Sequence, residues 1–174
     1  MGDHAQPGFF GKIPSTGDFV GRGLPDSFRR SWDLWLTRHI APRQKMAAHG
    51  PDGGLRFRLV SGGRVAAGVI VPSVDSVGRR FPVSLVLVAS NLPAPDALDP
   101  WCDAAIALDR HQAPDDLWAD LDALPVPSGD GPTDVLLLWT KGQEVLAADP
   151  VAPAQALDRL WPAGSTLQGG SDPC

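Results

Sequence analysis

The apolar positions change period along the chain, and each period predicts an element. Gly8-Phe9-Phe10-Gly11-Lys12-Ile13 is a short apolar run that reads as a strand, closed by the turn-forming Pro14-Ser15-Thr16-Gly17-Asp18. From Asp26 the period lengthens. Phe28, Trp32, Trp35, Leu36 and Ile40 fall on one face of a helix over 26–41, with Asp26 and Ser27 as capping oxygens and Pro42 to end or kink it. Stripe tryptophans of this kind belong to a core, so both are expected to be mostly buried. Residues 55–60 alternate apolar and basic, which predicts a strand with one wet face. Residues 65–71 and 81–89 are continuous apolar runs and read as buried strands, with Gly62-Gly63 as a tight turn before the first.

The second half repeats the alternation of types. Leu98, Trp101, Cys102, Ala105 and Leu108 form a helical stripe. Pro114-Asp115-Asp116 opens another helix, whose apolar side is Leu117, Trp118, Leu121 and Leu124. Residues 134–140 read as a buried strand, 144–147 as its hairpin partner, and Pro153 opens a last helix with Leu157, Leu160 and Trp161 inward. The order β-α-β-β-β-α-α-β-β-α predicts one α/β domain over 8–162, with a mixed, substantially antiparallel sheet covered by helices. Residues 1–7 and the Gly-, Ser- and Pro-rich 163–174 are expected to be flexible ends.

Composition narrows the function classes. The 174 residues suit one domain, large enough to bury a core without disulfide staples. A net charge of −5 argues against a general nucleic-acid binder, which would want a basic face. The N-terminus has no basic segment followed by an apolar one, and no apolar run is long enough to span a bilayer. Cys102 and Cys174 are read as unpaired thiols in a reducing compartment, so the expectation is a cytoplasmic protein without membrane insertion.

Enzyme signatures are sparse. There is no phosphate-loop motif, no Gly-x-Ser-x-Gly elbow, and Gly21-Arg22-Gly23 lacks the third glycine of a dinucleotide fingerprint. His4, His39, His49 and His111 share no metal-ligand spacing, so neither a metal nor a cofactor is expected. Two segments nevertheless exceed what a plain turn needs. Residues 8–20 are dense in Gly and Pro yet carry Phe9, Phe10 and Phe19, and 72–82 pack Ser73, Asp75, Arg79 and Arg80 between two apolar strands. Local Asp–Arg pairing on a surface turn is the plain account of the second, and each such pair contributes little. A binding patch is the alternative.

Three motifs in order carry a resemblance. Gly-Phe-Phe-Gly-Lys-Ile-Pro-Ser-x-Gly-Asp-Phe-Val, then Leu-Pro-x-Ser-Phe with Trp32-Asp33-x-Trp35-Leu36, then Pro-Ser-Val-Asp-x-Val-Gly-Arg-x-Phe-Pro resemble the TagF family, also called ImpM, accessory proteins of bacterial type VI secretion systems. The resemblance runs over about 8–125 and is sharpest in 8–36 and 72–82; Thr16 stands where a basic residue is common. It implies a three-layer α/β/α sandwich and a cytoplasmic, post-translational repressor of secretion. The implied partner is the forkhead-associated scaffold protein, Fha, of the same system. Some relatives carry a fused phosphatase domain, and no second domain is expected here. On this reading Lys12, Asp18, Arg22, Ser73, Asp75, Arg79 and Arg80 form a partner-binding patch, the two motif loops lie side by side, and Phe19 or Phe81 either anchor a partner or close the core beneath the loops. Two alternatives remain open. One is an anion- or nucleotide-sensing domain using Arg79 and Arg80, favoured by a pocket where the loops meet. The other is a hydrolase with Ser73 as nucleophile, Asp75 as base and Arg79 as anion clamp.

Overall fold

The computed structural model describes residues 4–162, so the tail over 163–174, with Cys174, lies outside them. Seven strands form one sheet in the order β2-β1-β5-β4-β3-β6-β7. They are β1 (Gln6–Gly11), β2 (Val20–Arg22), β3 (Leu55–Ser61), β4 (Arg64–Val71), β5 (Val83–Ala89), β6 (Leu136–Trp139) and β7 (Leu146–Ala148). Every neighbouring pair is antiparallel, where a mixed, substantially antiparallel sheet was expected. The reason is that sequence neighbours pair with one another: β3-β4-β5 is a meander, and β1-β2 and β6-β7 are two-strand units added at its sides. β1 begins at Gln6, so Gln6 and Pro7 of the expected loose N-terminus are paired, with Val88 and Leu87 of β5.

Five helices cover both faces: α1 (Asp26–His39), α2 (Ala41–Met46), α3 (Pro95–Ile106), α4 (Pro114–Asp122) and α5 (Ala154–Leu160). Strand alternation sorts the apolar residues between two cores. In β4, Val65, Ala67, Val69 and Val71 face α3 and α4 with Trp101 and Leu117, while Ala66 and Ile70 face α1 and α5 with Trp32 and Leu157. The architecture is therefore the expected three-layer α/β/α sandwich. Trp32 is buried and donates from Nε1 to the Ser84 hydroxyl at 2.9 Å; Trp35 is half-buried and donates to the Pro150 carbonyl.

Four local expectations change. Pro42 does end α1, but the chain then makes the extra turn α2 with Pro42 in its first turn, where the missing N–H is no loss. α1 starts at Asp26 itself, so neither Asp26 nor Ser27 caps it; Asp26 acts through its charge in the first turn. Trp118 is more than a third exposed; its indole lies against Gly23 and donates to the Pro7 carbonyl at 3.2 Å. The largest correction concerns β3. Arg56 and Arg58 are buried, and the strand has no wet face. Arg56 donates to Asp99 Oδ1 at 2.7 Å and to Asp103 Oδ1 at 2.6 Å, both carboxylates one turn apart on α3. Arg58 donates to the carbonyls of Leu92, Pro93 and Pro132 and to Asn91 Oδ1, tying two connections to the sheet. Burial pushes the Arg58 pKa down. It opposes Arg56 too, but the hydrogen bonds Arg56 donates to Asp103 and Asp99 outweigh it and raise that pKa. Cys102 is buried, and burial pushes its thiol up to about 12.

Candidate functional site

Both motif loops leave the same end of the sheet. Gly11 closes β1 and sits against the backbone of Pro82 and of Val83, the first residue of β5, so close that a Cβ would overlap the Pro82 carbonyl. That contact sets the loop after β1 beside the loop before β5. The Ser76 amide then donates to the Thr16 carbonyl at 2.7 Å, and the Arg79 Nη2 donates to the Gly17 carbonyl. The expected adjacency of the two motifs is thus built by main-chain bonds.

Asp75 is the centre of the arrangement. Its side chain is shut off from solvent, and its two oxygens are fully used. Oδ1 accepts the Val77 amide at 3.0 Å and the Arg79 amide at 2.9 Å. Oδ2 accepts the Arg79 Nε at 2.7 Å and lies 3.5 Å from the Lys12 Nζ. Burial alone would raise this carboxyl. The Arg79 amide and guanidinium and the Val77 amide override it and lower the pKa to about 2. Gly78 closes the turn at φ +85°, a conformation a side chain would strain. Beneath lies an aromatic step: Phe19 meets Phe81 edge-on at 4.8 Å, stacks on Phe10 at 6.1 Å, and carries the Lys12 Nζ 4.9 Å over its ring. Phe81 is buried and closes the core, while Phe19 remains 46% exposed.

The proposed patch residues separate into four groups. Lys12, Asp75 and Arg79 are tied together, so they shape the loop more than they offer free charge. Arg22 is elsewhere occupied: on β2 it donates to Asp115 Oδ1 at 2.8 Å at the start of α4. Asp18 and Arg80 are exposed; Asp18 Oδ1 accepts the Phe19 amide at 2.7 Å. The Ser73 carbonyl accepts the Gln44 Nε2 at 2.7 Å and the Phe81 amide at 3.2 Å. Residue types alone pointed to charges and missed Val77, which projects from the loop tip 69% exposed. The signal available was an apolar residue between Ser76 and Gly78, where a turn needs none.

Among the described residues, recesses open near opposite ends of the sheet. The larger, about 730 Å³, lies between α1 and the far end of the sheet. It is lined by the stacked rings of Phe28, Trp32 and Trp35, with Arg64 as its only charged group. A second, about 440 Å³, lies where Pro14 of the first loop meets Ser73, Val74 and Arg80 of the other. No helix among the described residues is long and apolar enough to cross a membrane.

Comparison with known proteins places this arrangement. No curated protein matches the chain. Among solved structures, the crystal structure of PA0076 from Pseudomonas aeruginosa PAO1 is similar at 27% identity and a TM-score of 0.57, over 90% of this chain and 76% of that one. The family model of the TagF N-terminal domain, type VI secretion system-associated, matches residues 8–124 and so takes in both loops, the sheet as far as β5, and α1 to α4. The chain belongs to the type VI secretion system-associated TagF family.

Proposed function

We propose that this domain is a cytoplasmic regulator that represses type VI secretion after translation by docking on a partner protein. The partner the family resemblance implies is the forkhead-associated scaffold of the same system. One observation carries the reading: a stiffened, exposed knob made of the two family motifs. Phe19 and Val77 stand out of a surround of Asp18, Arg79 and Arg80, on backbone held from inside by Asp75. Apolar anchors within a charged rim are how protein surfaces gain affinity at the centre and orientation at the edge. Pre-ordering the loop lowers the entropy cost of binding. The same bonds speak against Asp75 as a catalytic base. A carboxylate with a pKa of about 2 and both oxygens engaged has little appetite for a proton from Ser73.

Val77→Asp tests this. The side chain touches little, so stability should change by less than about 0.5 kcal/mol. Capture of the purified scaffold should weaken by about tenfold or more, since a charge would enter the centre of the interface. Repression in cells should fall with it. Ser73→Ala should retain both. Unchanged capture by Val77→Asp would remove the knob from the interface. Lost repression in Ser73→Ala with normal capture would point to turnover.

A further inference from the structure

The smaller recess holds a buried polar group that the docking knob does not use. Gln44 of α2 lies at its base, with only 2% of its surface exposed. Its Nε2 donates to the Ser73 carbonyl at 2.7 Å. A carbonyl only accepts, so this bond fixes which way the amide faces. The other end, Oε1, has no hydrogen-bond partner among the described residues. A buried acceptor left unpaired is a cost that a native fold normally removes, and a ligand with a donor would remove it.

The walls say what else that ligand carries. Arg80 comes from the loop before β5, and Arg110 from the connection between α3 and α4. Arg110 is half-buried, is held by the Ile106 carbonyl at 2.7 Å, and has its pKa lowered by burial. The Arg80 side chain makes no ion pair or hydrogen bond among the described residues, which leaves its fork of donors available. His49 and His111 add two imidazoles at the rim. The one opposing charge in the lining is Asp109, whose Oδ1 already accepts the His111 amide at 2.8 Å. No group of three His, Cys, Asp or Glu among the described residues is placed to hold a metal ion, so the imidazoles do not make a cation site.

We propose that this recess is a binding site for a phosphate monoester. Two guanidinium forks suit the negative oxygens of a phosphate. Near neutral pH a phosphate monoester has its second pKa at about 6, so a share of it keeps one P–OH group. That hydroxyl is the donor Gln44 Oε1 lacks. Sulfate has the same tetrahedral shape but is fully deprotonated near neutral pH and has no proton to give, so it would set an acceptor against an acceptor. The site therefore selects phosphate over sulfate, which charge attraction alone does not do. A phosphorylated side chain and a mononucleotide both supply this chemistry. Since Ser73, Val74 and Arg80 belong to the loop that forms the knob, occupancy would be felt on the proposed docking surface.

The test needs no scaffold protein, so its result stands apart from that of Val77→Asp. Inorganic phosphate, sulfate, O-phospho-L-serine and AMP are titrated into the ¹⁵N-labelled domain at fixed ionic strength, and the Gln44 side-chain amide is followed. Phosphate and at least one monoester should shift it saturably, with sulfate weaker by about tenfold, the discrimination expected when a buried group loses its partner. The tighter monoester names the source. Arg80→Ala, an exposed change, should weaken phosphate about tenfold, as for loss of a hydrogen bond to a charged group, without moving the melting temperature. Gln44→Leu should bring phosphate and sulfate to equal affinity. Equal binding of the two ions by the unaltered protein, an unmoved Gln44 amide, or full phosphate affinity in Arg80→Ala would each overturn the proposal.

Discussion

Asp75 and Arg56 are both charged residues withdrawn from water, yet they do different work. Asp75 orders a loop from within, and its charge is favoured in the folded state because amides and guanidinium point at it. Its folded pKa of about 2 lies below the unfolded carboxylate value of about 3.9. A depressed pKa stabilises the fold above the unfolded value and loses that contribution as pH falls through the folded one. Asp75→Asn should therefore melt below the unaltered protein by a constant gap at neutral pH. The gap should shrink between about pH 4 and pH 2, where the native carboxylate takes up its proton. A gap independent of pH over that range would mean that shape, not charge, is what Asp75 supplies. Arg56 instead fills space between β3 and α3, where Asp99 and Asp103 neutralise it. Arg56→Ala should cost about 3–5 kcal/mol in urea unfolding, nearer the lower figure because both carboxylates are partly exposed and can rehydrate. A loss under about 1 kcal/mol, the size of a surface pair, would show that water already reaches the guanidinium.

At the scale of elements, period was a good guide wherever apolar residues dominate. The runs over 65–71 and 81–89 became β4 and β5 with their ends displaced by at most two residues, and Trp32 and Leu36 of the stripe became the buried face of α1, with Ile40 buried just past its end. Alternation misled in β3 because polarity was taken as exposure. The clue was distant: Asp99 and Asp103, spaced four apart on an apolar helix, are the partners Arg56 needs. β2 was illegible because three residues with one Gly carry no period; it exists because β1 offers it an edge, pairing Phe9 with Arg22 and Gly11 with Val20. Gly68 shows a constraint that only packing reveals. It sits mid-strand in β4 with ordinary φ, yet a Cβ there would overlap the Leu85 carbonyl of β5. Gly68→Ala should destabilise by about 1–3 kcal/mol through separation of the central pair, read as a fall in urea midpoint. Wild-type stability would mean that β4 and β5 can part without loss.

For the whole molecule, the sheet divides labour between its middle and one end. The central strands carry two apolar cores, while the motif loops at that end hold most of the chemistry the sequence made visible. Their adjacency was legible because each loop brought complementary groups, Lys12 in one and Asp75 in the other. The recess beside them was legible only in part: the alternative of an anion site with Arg79 and Arg80 asked for a pocket where the loops meet, but Gln44 and Arg110 lie in segments with no motif and join Arg80 there only through the fold. This division predicts that the loops open as a unit without the cores. Arg79→Ala removes the guanidinium bonds to Asp75 and to the Gly17 carbonyl but touches no apolar core residue. Amide exchange at Ser76, Val77 and Arg79, whose N–H groups are held by Thr16 and Asp75, should accelerate by about tenfold or more, the consequence of losing a charged hydrogen bond. Exchange in the middle of β4 and β5 reports global unfolding and should keep its rate within a factor of about two, as expected for a change confined to a local opening. The two readouts separate the possibilities. Fast loop exchange with a slow sheet establishes a local, independently ordered knob, the condition for pre-organised docking. If the β5 amides accelerate as much as the loop amides, the Asp75 cluster is a keystone of the whole fold. Its charges would then be kept for stability, and the docking surface would have to be sought elsewhere.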